Sequence, residues 1–415
     1  MQNRKTVAII GAGIVGVATA LWLQRDGHSV ILVDRVGPAG GASYGNAGLL
    51  ASAATVPVPV PGLWKRAPRM LLDPREPLFL KWAYLPKLAP WLVRYLSHAT
   101  AAAVRKRAAA QLPLIGESLS DHQALSEGTP AARYVHDCDY IYGYPDRAAY
   151  EADAFTWQVR REQGFTWELL DTAAFEAYDP AYRGAIGCAA RLPGHGRISD
   201  PGSYVKSLAA QAEADGARLV QAEIEQIVVE HGRVSGVRAG GDLLSCDAVV
   251  VAGGAWSTKL ASSLGLKVPM EIERGYHIEL WEPSVMPRAP VMVAAGKFVA
   301  NPMEGRLRLA GIVEYGGLDA GPSRAPFALL RRNIRKAIPD LEWKSCTEWM
   351  GHRPVVADSL PVIGEVPGCA GVFVGFGHDH LGLTAGPKTG RLLAQLIAGR
   401  RPNVDLTPYA PGRFS

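Results

Sequence analysis

The sequence predicts an α/β chain in which a discontinuous Rossmann-like domain joins an α+β domain with a mixed, largely antiparallel sheet. Three observations carry this. A short apolar run, Val7-Ala-Ile-Ile10, ends in Gly11-Ala-Gly13-Ile-Val-Gly16 and leads into an apolar helical stretch. Two further apolar runs that end in glycines return only late, at 249–254 and 372–377. Between them, period-two alternation dominates 269–313, as in Tyr276-His-Ile-Glu-Leu-Trp281 and Arg306-Leu-Arg-Leu-Ala-Gly-Ile-Val313, which suits an open sheet.

Composition bounds what the chain can be. A length of 415 residues suits two or three domains. With 48% hydrophobic and 20% charged residues, the chain is globular and not disordered. A net charge of +5 is too diffuse for a nucleic-acid binder and suits small anionic ligands. The five cysteines are scattered, with no C-x-x-C pair. They argue against a metal cage or disulfide framework and for a reducing, cytoplasmic setting. Neither a secretory leader nor an apolar run of spanning length is expected.

The N-terminal segment is the most informative. The run 7–10 reads as a strand buried on both faces. A helix is expected over 14–26, with Val17, Ala20, Leu21 and Leu23 inward. A second run, 30–33, ends at Asp34. Strand, glycine turn, helix, strand and acid in this order form the βαβ dinucleotide fingerprint. Gly11 permits the tight turn, Gly13 lets the backbone approach a pyrophosphate, and Gly16 lets helix and strand pack closely. The amides of Ile14 and Val15 face the phosphates at the helix N-terminus. Asp34 holds the ribose hydroxyls, with Arg35 beside it.

No second fingerprint occurs, so a flavin and nicotinamide pair is not indicated. Other segments point to FAD. Ala42, Ser43, Asn46, Ala47 and Gly48 lie in a small-residue loop whose amides can touch a flat ring or phosphate. Ala252, Gly253 and Trp256 end a late buried strand. Gly377, Gly382, Leu383 and Thr384 lie in a glycine-rich loop before the last helix, expected over 386–398. Ile224 and Gly351 complete the expected cofactor contacts.

Together these segments resemble the FAD-dependent D-amino acid oxidase/dehydrogenase superfamily, and within it the bacterial D-amino acid dehydrogenase small-subunit group. The resemblance spans nearly the whole chain. It is strongest at Ser43-Tyr-Gly-Asn-Ala-Gly48, Arg274-Gly-Tyr-His277, Gly351-His-Arg-Pro354 with Leu360-Pro-Val-Ile-Gly364, and Gly377-His-Asp-His-Leu-Gly-Leu-Thr384. Asp34 departs from the more common glutamate, and Asp379 stands where glycine is frequent. The resemblance implies oxidative deamination of a small amino acid, either a D-amino acid or a cyclic one such as hydroxy-D-proline. Hydride would pass from Cα to flavin N5, and electrons onward to a quinone or another non-oxygen acceptor. The alternatives are an oxygen-using oxidase of glycine, sarcosine or another secondary amine, and a non-enzymatic flavin-binding subunit of a larger complex. Some relatives attach flavin through a cysteine near the position of Gly351, so FAD is expected to be non-covalent here.

Arg353 is the expected carboxylate anchor, since its planar fork suits bidentate pairing and the resemblance implies that role at the G-x-R-P position. On a strand, Arg274 and Tyr276 share one face and His277 points to the other. Tyr276 is expected to hydrogen-bond the substrate, and Arg274 to be a pocket or interface charge. His378 and His380 lie in the loop against the flavin, where either could tune protonation. No ligand spacing accompanies these histidines, so no metal is expected. The last helix should aim its N-terminal amides at the flavin.

The expected nucleotide-domain pieces are 1–58, 196–268 and 346–415. The substrate-domain pieces are 59–195 and 269–345. The aromatic and basic stretch 77–96 is expected to form helices over the substrate site. Its composition leaves peripheral contact at the inner face of the cytoplasmic membrane open, and oligomer formation is also left open.

Overall fold

The computed structural model describes residues 4–73 and 75–414. A six-stranded sheet runs in the order Val362–Glu365, Val372–Phe376, Ala248–Val251, Thr6–Ile10, Ser29–Asp34, Arg218–Gln221. All neighbours are parallel except the antiparallel edge pair formed by Val362–Glu365 and Val372–Phe376. Its strands come from three separated stretches of chain. The central strands are continuous apolar runs because both of their faces are covered. The helix Ile14–Arg25 covers one face together with Pro201–Ala214 and Gly382–Ile397. An antiparallel three-stranded meander, residues 224–245, helps cover the other.

The first and last of these helices approach closely. A Cβ on Gly386 would lie 2.7 Å from Ile14, and one on Gly390 would lie 2.7 Å from the Ala18 backbone. The last helix therefore begins at Gly382, four residues before the expected start, and uses its glycines for packing.

The second sheet has ten strands and is mostly antiparallel. Its longest pairing joins Met270–Trp281 to Ser345–Val356 in unbroken register from Met270 opposite Val356 to Trp281 opposite Ser345. Residues 49–50 and 346–356, expected with the nucleotide pieces, pair into this sheet instead. Twelve consecutive cross-strand partners outweigh the proximity of 346–356 to the final nucleotide strands.

The stretch 77–96 forms a short strand, Leu78–Leu80, and a helix, Leu85–Ser97. Leu88, Trp91 and Tyr95 are buried, with Trp91 stacked on Tyr95 at 4.6 Å and tilted against Tyr315 at 5.9 Å. Trp82 and Val93 remain exposed. Among the described residues, no helix is long and apolar enough to cross a membrane.

Candidate cofactor and substrate site

A cleft of about 370 Å³ runs from the tip of the parallel sheet to the large sheet. At one end lie Asp34, Arg35, Ile224 and Trp256; at the other lie Arg353, His378, His380 and Leu383. The glycine turn forms its floor. A Cβ on Gly11 would lie 2.5 Å from the Ala252 carbonyl oxygen, and one on Gly16 would lie 1.8 Å from the Gly11 carbonyl oxygen. Backbone packing thus requires glycine at both positions. Gly13, Ile14, Val15, Ala252 and Gly253 border the cleft, whereas Gly16 is buried beneath it.

Asp34 accepts hydrogen bonds from three backbone amides: Ala12 at 2.8 Å, and Val36 and Gly37 at 2.9 Å each. A carboxylate has about four acceptor sites, so capacity remains on the cleft side. The Arg35 guanidinium lies 3.9 Å above the Trp256 ring centroid and makes a flat wall beside it.

The loop 42–48 is held in a way that sequence reasoning missed. Ser43 Oγ accepts from the Ile14 amide at 2.9 Å, tying the loop to the first helix. Four successive carbonyls then turn toward the large sheet. Arg308 donates to Tyr44 O at 3.1 Å and Asn46 O at 2.6 Å. His277 Nδ1 contacts Gly45 O at 2.8 Å, and Asn301 Nδ2 donates to Ala47 O at 2.6 Å. Peptide units whose carbonyls point to one side leave their amides for the other, though the Gly48 amide is taken by Asn46 Oδ1 at 2.8 Å. Ala42, Ser43 and Asn46 border the cleft; Ala47 and Gly48 do not, and Gly48 takes a φ of +69° to bring the chain into Leu49.

The strand Met270–Trp281 explains the other end. Its odd-numbered residues face the cleft and the loop. Glu273 pairs with Arg353 at 2.7 Å. Gly275 borders the cleft. His277 stacks on Trp349 at 5.0 Å, and Glu279 binds Arg306 at 2.6 Å and Arg308 at 2.7 Å. The even-numbered residues face the core of the large sheet. Arg274 and Tyr276 therefore do not border the cleft, contrary to expectation. Arg274 is fully buried and pairs with Glu314 at 2.8 Å. The Tyr276 hydroxyl donates to the same Glu314 at 2.5 Å and accepts from the Ser323 amide at 3.0 Å. They brace the sheet from behind.

Two glycines make room here. A Cβ on Gly275 would meet the Arg353 guanidinium carbon at 2.5 Å, so this glycine lets Arg353 lie flat across the strand. A Cβ on Gly351 would lie 1.9 Å from the Trp349 ring, which also covers Gly45. Arg353 donates from Nη1 to Glu273, leaving the rest of its fork toward the cleft.

The glycine-rich loop closes the site. An antiparallel bridge between Val355 and His378 sets the loop beside the Arg353 strand. Gly377, Gly382 and Leu383 border the cleft, while the Thr384 hydroxyl turns away to Leu49 O at 3.3 Å. His378 contacts Thr389 Oγ1 at 3.0 Å, and burial pushes its ring down to about 4. Burial also works against charge on His380, but Asp379 and then Glu273 outweigh it and hold this ring above the usual histidine range.

Three neutral, buried histidines tie the cleft together. His122 contacts Leu383 O and the Tyr204 hydroxyl at 2.9 Å each, and burial lowers it to about 4. Burial and then Arg308 lower His277 to about 3. His378 is the third. Because their folded values lie below that of a free histidine, the unfolded chain takes up protons first as pH falls. Stability from these groups is intact above about 6.5 and is lost progressively down to about 4, on the order of 3 kcal/mol for each of His122 and His378. Thermal melts at stepped pH should show the melting temperature falling through this window; a flat profile contradicts it.

Among the described residues, no cluster could hold a metal ion. What the cleft offers instead is a long groove with a backbone-amide floor, an acid at one end and an arginine at the other. Residues 6–396 match the DAO family, described as FAD dependent oxidoreductase. The chain is 37% identical to a D-amino-acid oxidase of Bradyrhizobium diazoefficiens, with 100% of both chains covered. It is 30% identical to a D-amino acid dehydrogenase of Rhizorhabdus wittichii, covering 98% of this chain and 100% of that one. The glycine oxidase of Geobacillus kaustophilus has the same fold, with a TM-score of 0.75 at 24% identity and 99% of each chain covered. The lining residues of the groove suit a flavin dinucleotide, and with a match running from the first strand into the last helix, the chain belongs to the FAD-dependent oxidoreductase family typified by D-amino acid oxidases and dehydrogenases.

Proposed function

We propose that the protein oxidatively deaminates D-amino acids, with small and cyclic side chains included, using non-covalent FAD and a non-oxygen electron acceptor. The observation that carries this is Arg353, a half-buried fork with one nitrogen on Glu273 and its other edge toward the cleft. Such an edge fits one α-carboxylate. When bound, FAD supplies two-electron acceptance from the substrate Cα–H, leaving an imino acid that water turns into a 2-oxo acid and ammonia.

The chain's own residues orient and exclude. Asp34, Arg35, Trp256 and Ile224 would hold the adenosine end, and the Val15 amide with the loop around Ala42, Ser43 and Asn46 the phosphates, the Ile14 amide being committed to Ser43 Oγ. Gly382 and Leu383, the first residues of the last helix, would present amide donors and a positive dipole end to the ring. Arg353 fixes the carboxylate and so fixes which bond of Cα meets the ring. Trp349 closes the groove against water between Gly45 and Gly351. Among the described residues, no cysteine borders the cleft, and Cys346 Sγ accepts from Arg331 at 3.4 Å outside it. This supports non-covalent binding.

The relative named a D-amino-acid oxidase favours a second reading, in which oxygen accepts the electrons. Production of 2-oxo acid from D-amino acids with an artificial dye, but without peroxide in air, supports the dehydrogenase. Stoichiometric peroxide supports the oxidase.

Gly275 gives a prediction with little chemical change. Gly275→Ala should displace Arg353 and raise the half-saturating substrate concentration about tenfold or more, with FAD retained. Unchanged saturation in steady-state assays contradicts the assigned role of Arg353.

A further inference from the structure

We propose that Asp379 receives the ammonium group of the substrate, so that the cleft recognises an amino acid as a zwitterion, with its carboxylate on Arg353 and its nitrogen on Asp379. The proposal rests on the amino-acid reading above and adds the residue that separates amino acids from other small acids.

Asp379 borders the cleft, yet its side chain is only 4% exposed. Its Oδ1 is buried and has no hydrogen-bond partner. His380 Nδ1 lies 3.3 Å from that oxygen as an ion pair without hydrogen-bond geometry. A buried carboxylate oxygen left this way is costly unless a donor arrives. Its backbone sits at a φ of +53°, a region that glycine enters freely and aspartate at a cost. The chain thus holds a strained, under-satisfied acid at the cleft wall.

The acid has one basic neighbour in contact, His380, on a single oxygen. Arg353 on the facing strand is committed through one nitrogen to Glu273. Burial and the charges of Glu273 and Asp379 help keep the phenols of Tyr95 and Tyr315 neutral. Burial holds His378 down to about 4, whereas Asp379 and then Glu273 hold His380 above the usual histidine range against its burial. The bridge between Val355 and His378 runs antiparallel, which brings the Arg353 strand and the Asp379 turn to opposite sides of the same gap. That gap offers a guanidinium edge and an under-bonded carboxylate, the complement of a zwitterion.

The test compares FAD-loaded wild type with Asp379→Asn and Asp379→Gly. Glycine removes the acid while accepting the local backbone, so a fold defect cannot mimic the result. For D-alanine and further D-amino acids half-saturation is read from the rate of anaerobic flavin bleaching, and for propionate and the other amine-free carboxylates binding is read from the shift of the oxidised flavin spectrum. Loss of the acid should weaken D-amino acid binding about ten- to a hundredfold and leave the matched carboxylates within about twofold. If amino acid and carboxylate weaken together, or neither changes, the proposal is overturned. If wild type binds FAD but no amino acid reduces it, the amino-acid reading itself fails, and the proposal with it.

Discussion

Arg353→Ala should raise the half-saturating concentration of D-amino acid by two orders of magnitude or more while FAD stays bound. Truncating one partner of a buried, hydrogen-bonded charge pair costs about 2–5 kcal/mol, and each 1.4 kcal/mol is about tenfold. Two effects add here. The substrate carboxylate loses its fork, and Glu273, already pushed upward by burial despite Arg353, loses its counter-charge. Arg353→Lys should recover only part of the loss, because an ammonium cannot bridge Glu273 and a substrate carboxylate in one plane. Steady-state kinetics with flavin content measured in parallel separate this from cofactor loss. Unchanged saturation in the alanine variant removes Arg353 from the substrate.

Arg308→Met should destabilise the holoprotein by about 3–5 kcal/mol and weaken FAD binding at least tenfold. Arg308 is fully buried against Glu279, and its other edge holds the carbonyls of Tyr44 and Asn46. Methionine fills the volume but leaves Glu279 with Arg306 and the weak Thr347 contact, and two carbonyls without their donor. The loop then loses the restraint that turns its amides to the cleft. Thermal melts with and without added FAD, together with FAD titration of the apoprotein, measure both effects. An unchanged melting temperature with unchanged affinity contradicts this positioning role.

Much of the cofactor end was legible in the sequence because its determinants are local. A buried strand, a glycine turn, a helix and an acid occupy one continuous stretch, and Gly16 meets the Gly11 backbone while Gly11 meets the end of the adjacent strand. The substrate end was less legible because its partners are far apart in sequence. Arg308 lies 262 residues from Asn46, and Asn301 lies 254 from Ala47. Alternation along Met270–Trp281 revealed two faces, and the residue types did indicate which was inward. Glu271, Glu273, His277 and Glu279 share one parity, and Ile272, Ile278 and Leu280 share the other. Arg274 and Tyr276 fall with the apolar set and join the core through Glu314. The spacing of R-G-Y-H drew attention to its arginine and tyrosine, whereas its glycine and histidine face the cleft side. Trp349 covers Gly351, two residues on, but its role at the cleft had no local signal, since it also covers Gly45, some three hundred positions earlier in the chain.

The central claim is that an amino acid held by Arg353 gives its electrons to FAD in this cleft. Anaerobic bleaching of the bound flavin tests it most directly, with a panel of D-, L-, N-methyl and cyclic amino acids added to the purified holoprotein. The account predicts rapid bleaching by D-amino acids, slow or absent bleaching by their L-enantiomers, and a much higher half-saturating concentration in Arg353→Ala. Protein that binds FAD but is bleached by no member of the panel contradicts it.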